Sequence, residues 1–195
     1  MTDSIRLVNL SKNYGEEKIL DGLNLAFPLA SLSIVRGCSG IGKTTLLRIL
    51  AGLSSADGGQ IIWPEAFVPR ISMQFQEERL LDHLSARANI KLFSKSEDNE
   101  IYQALKELNL PLEEKPVCEL SGGMRRRVSL ARAVLSKHNL LLLDEPFSAL
   151  DEKAQQLAYT FIMKNHRQQE NTVILVSHLI PEGAKLKTEQ IFYLS

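Results

Sequence analysis

Residues 31–52 read SLSIVRGCSGIGKTTLLRILAG. A short apolar run, Ser31 to Arg36, enters a glycine turn. Lys43 to Ala51 then has the spacing of a helix that ends near Gly52. The turn, Gly37-Cys38-Ser39-Gly40-Ile41-Gly42-Lys43-Thr44-Thr45, fits the pattern G-x-x-x-x-G-K-[ST]. Its glycines let the backbone curl and turn N–H groups toward phosphate oxygens. Lys43 is placed to reach the terminal phosphates, and the Thr44 hydroxyl to ligate magnesium. The strand–loop–helix context predicts a nucleotide site, not only a glycine-rich helix cap. Cys38 lies inside this loop, so its alkylation is predicted to block the nucleotide.

The rest of the chain extends that unit. Ile5 to Leu10, Ile19 to Phe27, the DGGQIIW stretch and Arg70 to Phe75 read as strands. NLLLLDEP, TVILVSH and IFYLS are further strands, alternating with helices from Ser121, from Asp151 and after Pro181. Continuous apolar strands alternating with helices predict an α/β fold: a parallel sheet covered on both faces, preceded by an N-terminal antiparallel β portion. From about Leu81 to Glu119 the pattern becomes helical and polar, with NEIYQALKELNL as an amphipathic helix. That stretch reads as an α-helical subdomain inserted into the core. We therefore expect one domain over 1–195, with 1–76 and 131–195 as the catalytic core and 77–130 as the helical subdomain. The strand Leu140–Leu143 ends in Asp144-Glu145-Pro146, which sets two carboxylates at the sheet's carboxyl edge, where open α/β folds bind ligands. Asp144 suits magnesium. Glu145, one residue on, suits the orientation and deprotonation of an attacking water.

Composition narrows the function. The chain has 23 basic and 23 acidic residues, which argues against general affinity for nucleic acid. Its two cysteines, Cys38 and Cys118, have no metal-ligand spacing and fit a reduced, cytosolic setting. The N-terminus is not a signal peptide, and no apolar run approaches the roughly 20 residues of a membrane span. Three successive arginines, Arg125 to Arg127, would point in different directions on a helix, and a solvated, intersubunit role is expected for them. His83, His138 and His166 match no motif.

LSGGM at Leu120 to Met124 opens a second helix with a Ser-Gly-Gly turn, another seat suited to an anion. Together these motifs resemble the ATP-binding subunit of ABC transporters, over nearly the whole chain. The resemblance implies a P-loop NTPase core of RecA-like form. It implies that Gln76 in SMQFQE is the Q-loop glutamine, touching magnesium and the attacking water. His178 in LVSH is then the switch histidine at the γ-phosphate, Ser148 to Asp151 the D-loop, and Tyr14 an aromatic that stacks on adenine. It further implies that two subunits pair head to tail around two ATP molecules with Mg2+. Ser121, Gly122, Gly123 and Asp151 would serve the partner's nucleotide, which gives the second phosphate seat its purpose.

DEPFSALD and FQEERLLDHLSARANI are similar to importers for small anionic or nitrogenous solutes, such as nitrate, sulfonate, taurine or thiamine. The implied partners are transmembrane permease subunits and, indirectly, a solute-binding protein, with no direct nucleic acid. The implied location is the cytoplasmic face of the membrane. Glu77 to about Phe93 is the candidate permease-docking region, and a monomer is expected without ATP because the chain stops after IFYLS. A non-transport ABC ATPase acting on nucleic acid or the cell envelope, and a P-loop metabolite kinase, remain alternatives at this point.

Overall fold

The computed structural model describes residues 3–179, 181 and 191–194. Strands Ser4–Tyr14 (β1), Glu17–Pro28 (β2) and Gly58–Ile62 (β4) form an antiparallel sheet in the order β2-β1-β4. A second sheet contains Leu32–Arg36 (β3), Ile71–Gln74 (β5), Leu140–Asp144 (β6), Thr172–Val176 (β7) and Ile191–Tyr193 (β8). Its order is β5-β6-β7-β3-β8, and every pairing is parallel. The helices are Lys43–Leu50 (α1), Ala86–Lys91 (α2), Asp98–Glu107 (α3), Gly122–Leu135 (α4) and Glu152–Gln169 (α5). The expected α/β core with its antiparallel β portion and helical insertion is therefore the observed architecture.

The apolar runs of β6 and β7 have a direct cause. Successive side chains of a strand face opposite sides, so a strand covered on both faces has no polar face. Leu141 and Leu143 of β6 pack in a core with Val173, Leu175 and residues of α4 and α5. Leu140 and Leu142 pack in a second core with Val176, Leu46 and Leu47 of α1, and Ile5 and Phe27 of the antiparallel sheet. Thus α4 and α1 lie on opposite faces of the parallel sheet. Side-chain caps begin three helices: Ser85, Ser121 and Asp151 accept the N–H groups of Ala88, Met124 and Ala154 at 3.2, 3.3 and 2.8 Å.

α4 runs unbroken from Gly122 to Leu135, across the expected junction at 130/131, and packs in the core. One expectation is corrected: the arginines are not all solvated. Arg126 and Arg127 are buried, because α4 is covered by the sheet on one side and by α2 and α3 on the other. Buried guanidinium groups need acceptors. Arg127 donates to the Leu108 carbonyl at 2.6 Å and the Gly123 carbonyl at 3.2 Å, while Arg125, less buried, pairs with Asp82 at 2.8 Å. The helix expected after Pro181 lies outside the described residues.

The antiparallel sheet depends on one close backbone approach. Gly59 has φ +75°, and a Cβ there would sit 2.2 Å from the Asn9 carbonyl oxygen. Gly22 is also left-handed, at φ +58°, but faces open space. Gly59→Ala should lower stability by more than about 1 kcal/mol, and by clearly more than Gly22→Ala. Urea unfolding of the two variants checks this; equal losses would mean that the approach of β4 to β1 is not limiting.

Candidate functional site

Four parallel strands deliver their polar residues to one edge. β3 leads into Gly37–Gly42, β5 into Phe75 and Gln76, β6 ends at Asp144, and β7 leads into Ser177 and His178. Register brings the ends level: Val35 pairs with Val176, and Asp144 pairs with Val176 from the other side.

The loop geometry requires glycine at Gly42. Its φ is +101°, and a Cβ would meet the Ile19 carbonyl oxygen at 2.9 Å. β2 thus presses directly on the loop, and Ile19 joins its wall. Lys43 folds back over the loop, donating to the Gly37 carbonyl at 2.9 Å and the Cys38 carbonyl at 2.8 Å. Its ammonium is held where an entering phosphate can take it over from neutral carbonyls. Cys38 is exposed.

Asp144 is only 1% exposed, and its Oδ1 is buried without a hydrogen-bond partner. Burial pushes its pKa above the ordinary 3.8, with the Thr44 hydroxyl opposing and Glu145 adding to the rise. An orphaned carboxylate oxygen beside a threonine hydroxyl fits a hard cation with oxygen ligands. Among the described residues no group of three His, Cys, Asp or Glu forms a metal site by itself. A cation here would share its coordination with a ligand's phosphates, as magnesium does.

Glu145 adopts φ +49°. Its N–H donates to the Val176 carbonyl at 2.9 Å, and its own carbonyl accepts from Ser148 N–H at 3.2 Å and Ser148 Oγ at 3.0 Å. The carboxylate meets His178 Nδ1 at 2.9 Å and the Ser177 hydroxyl at 3.3 Å. Two of the residues read as catalytic are therefore in contact.

Ser39, Gly40, Gly42, Lys43, Thr44, Thr45, Gln76, Asp144 and Glu145 surround a cavity of about 240 Å3, together with Ile19. That is smaller than the ~300–1,000 Å3 pockets that enclose whole small ligands. It suits a phosphate chain, leaving the rest of a nucleotide on the open surface. Tyr14 does not line the cavity. It is half-exposed at the end of β1 opposite Glu17, two residues from Ile19, with Lys12 Nζ 5.4 Å from its ring centroid. Gly37, Cys38 and Ile41 are in the loop but not in the cavity wall.

Ser121, Gly122, Gly123 and Asp151 are not in that wall either. They form a separate surface: Ser121 and Gly122 are exposed, and a Cβ on Gly123 would lie 3.4 Å from Leu150. In the candidate docking region, Phe93 and Leu81 are exposed, while Leu80 packs against the core. Ile19 gave no sequence signal, because its place follows from how the antiparallel sheet lies on the loop.

A glycine loop after one parallel strand and a buried carboxylate ending another define a nucleoside-phosphate site of the P-loop class. The sequence pattern of the ABC transporter family matches residues 20–148, and the chain belongs to that family. It is 36% identical to a sulfate/thiosulfate import ATP-binding protein of Neisseria meningitidis, over 95% of this chain and 57% of the relative. It is 38% identical to an aliphatic sulfonates import ATP-binding protein of Pseudomonas syringae pv. tomato, over 93% of this chain and 67% of the relative. The chain thus spans little more than half the length of that Neisseria meningitidis relative. Among solved structures, an ABC transporter ATP-binding protein from Pyrococcus furiosus superposes with TM-score 0.83 at 25% identity, covering 98% of this chain and 97% of that one. A bacterial ABC transporter cassette solved as a dimer superposes with TM-score 0.78 at 25% identity, covering 97% and 94%.

The raised Asp144 pKa has a definite sign. The folded state favours the protonated carboxyl, so this group's contribution to stability is full below the ordinary pKa and is lost as pH rises through the folded value. Ionising Asp144 in the nucleotide-free protein charges a buried carboxylate whose Oδ1 has no hydrogen-bond partner, a cost that asparagine avoids. Asp144→Asn should therefore raise the Tm of the nucleotide-free protein at pH 7 while removing the further rise produced by Mg-ATP. Thermal scans with and without Mg-ATP decide; a nucleotide-free Tm below the parent's would contradict this account of Asp144.

Proposed function

We propose that the chain is the ATP-hydrolysing subunit of a membrane importer. The observation that carries the reading is the convergence of Lys43, Thr44, Gln76, Asp144 and Glu145 around one phosphate-sized cavity. Family membership and relatives that are themselves import ATP-binding proteins support it. Among the described residues no helix is long and apolar enough to cross a membrane, so the transmembrane path would come from permease subunits. The chain would work on their cytoplasmic face, with a solute-binding protein engaged only through them. The solute would not touch this subunit.

In this mechanism the loop N–H groups of Gly37 to Thr45 cradle the phosphates, and Lys43 leaves its two carbonyls for their terminal oxygens. Tyr14 stacks on the adenine. Thr44, Asp144 and Gln76 would hold magnesium, whose charge would offset that of the phosphates. Glu145 takes a proton from the water that attacks the γ-phosphorus as the β–γ bridge breaks, and ADP and phosphate leave. Ser177 and His178 fix the Glu145 carboxylate, and His178 adds a contact to the γ-phosphate.

Ser121, Gly122, Gly123 and Asp151 lie outside the chain's own cavity, which supports a head-to-tail homodimer in which they close the partner's ATP site. ATP then joins the two copies, and its cleavage removes the joint. In the absence of ATP the copies would be separate. The division into a core of 1–76 and 131–195 and a helical subdomain is retained as a proposal, with the junction moved out of α4.

Glu145→Gln keeps the shape of the side chain but removes the base. It should bind Mg-ATP, lose about a hundredfold in turnover, equivalent to about 2.7 kcal/mol of barrier, and accumulate as a dimer. Lys43→Ala should weaken nucleotide binding itself. Ser121→Arg should leave binding to single subunits intact but abolish pairing. Nucleotide titration, phosphate release and sedimentation separate the three; equal loss of ATP binding in all of them would refute this division of roles.

A further inference from the structure

The buried Arg126 connects elements that the motifs treat separately. It is 8% exposed and lies in the helix that Ser121 caps. Its Nη1 donates to the carbonyl of Gln76. Its Nη2 donates to Ser148 Oγ at 2.8 Å. Ser148 Oγ in turn donates to the carbonyl of Glu145 at 3.0 Å. Glu145 sits at φ +49°, a conformation that non-glycine residues keep only where their surroundings hold it. One guanidinium therefore braces the backbone of both Gln76 and, through one hydroxyl, Glu145.

Among the described residues, Arg126 forms no ion pair with a carboxylate. Its charge is matched by a carbonyl and a hydroxyl, and its Nε is buried without a partner. As a purely stabilising choice this is poor, because burying a cation without a counter-charge is costly and an apolar side chain would avoid that cost. What the guanidinium does supply is geometry. Its planar fork reaches two acceptors on two loops at once, and a lysine ammonium in its place would be a single point of contact. The same helix grips the segment after Gln76 a second time, since Arg132 donates to the carbonyls of Glu78 and Arg79, each at 2.7 Å.

We infer that Arg126 is a positioning residue for ATP hydrolysis, tying the helix that carries Ser121–Gly123 to the backbones of Gln76 and Glu145. It rests on the reading of those two residues as catalytic. Its consequence is that a displacement of α4, on the side facing a partner subunit, is transmitted to the water-activating carboxylate of the same chain. ATP binding is not part of its role, because the cavity wall contains neither Arg126 nor Ser148.

The test compares Arg126→Ala, Arg126→Lys and Ser148→Ala in the full chain, with turnover, ATP Kd and Tm measured for each. Arg126→Ala should lower kcat by about tenfold while leaving the ATP Kd within about twofold of the parent. Arg126→Lys should recover part of that loss. Ser148→Ala alters no charge and leaves the helix intact, so it guards against misfolding of the arginine variants. It should lower kcat by about threefold at an unchanged Tm, and adding it to Arg126→Ala should cause no further loss, since that arm is already gone. Parent-like kcat in Arg126→Ala or in Ser148→Ala, additive losses in the double variant, or kcat and ATP affinity falling together with Tm would each overturn the inference. Glu145→Gln is run beside them. If it also turns over normally, the catalytic reading of Glu145 has failed; if it is slow while Arg126→Ala is normal, only the role of Arg126 has.

Discussion

The burial of β6 on both faces is the constraint on which the rest of the structure depends. Leu140 to Leu143 leave no side chain free for solvent, so the strand can present chemistry only at its end. Parallel pairing with β5 and β7 then puts the ends of all three strands at the same edge. Asp144 is the last residue of that buried run and inherits its environment. The result is a carboxylate with an orphaned oxygen and a raised pKa beside the phosphate loop. The hydrophobic effect that stabilises the sheet thus also buries a carboxylate oxygen that no group among the described residues hydrogen-bonds.

Most of the site is held by backbone groups. Lys43 waits on two loop carbonyls, and Glu145 is fixed through its N–H and carbonyl. Arginines on α4 hold the carbonyls that follow β5. The contacts to the main chain of Gln76 and Glu145 position these residues without using their side-chain atoms, whereas Lys43 is held through its own Nζ. The Glu145 carboxylate is in addition shared with Ser177 and His178. That sharing fixes its direction from the end of β7, the strand adjacent to its own.

α4 has a double allegiance. Its N-terminal end is capped by Ser121 and opens to solvent, while its middle and C-terminal parts are packed into the core on the sheet. A helix so placed joins an exposed surface to a buried scaffold without a hinge of its own among the described residues. The expected junction at 130/131 lies within this continuous helix, although the polar and amphipathic texture of the preceding segment changes near there.

The amino-acid sequence by itself determined the phosphate loop, the acid-ended strand, the parallel sheet, and the helices that start at Ser121 and Asp151. Each is written in short-range spacing: a glycine that must turn, an apolar run that must be covered, a hydroxyl or carboxylate that must meet the first N–H groups of a helix. Only the tertiary structure decided that Ile19 walls the cavity and that Arg126 and Arg127 turn inward. Two of the three arginines in the run that reads as solvated, Arg126 and Arg127, are buried once α2, α3 and the sheet close around α4. The acceptors that satisfy those arginines are largely main-chain carbonyls, which every residue type carries alike, so no pattern of side chains along the chain could have announced them.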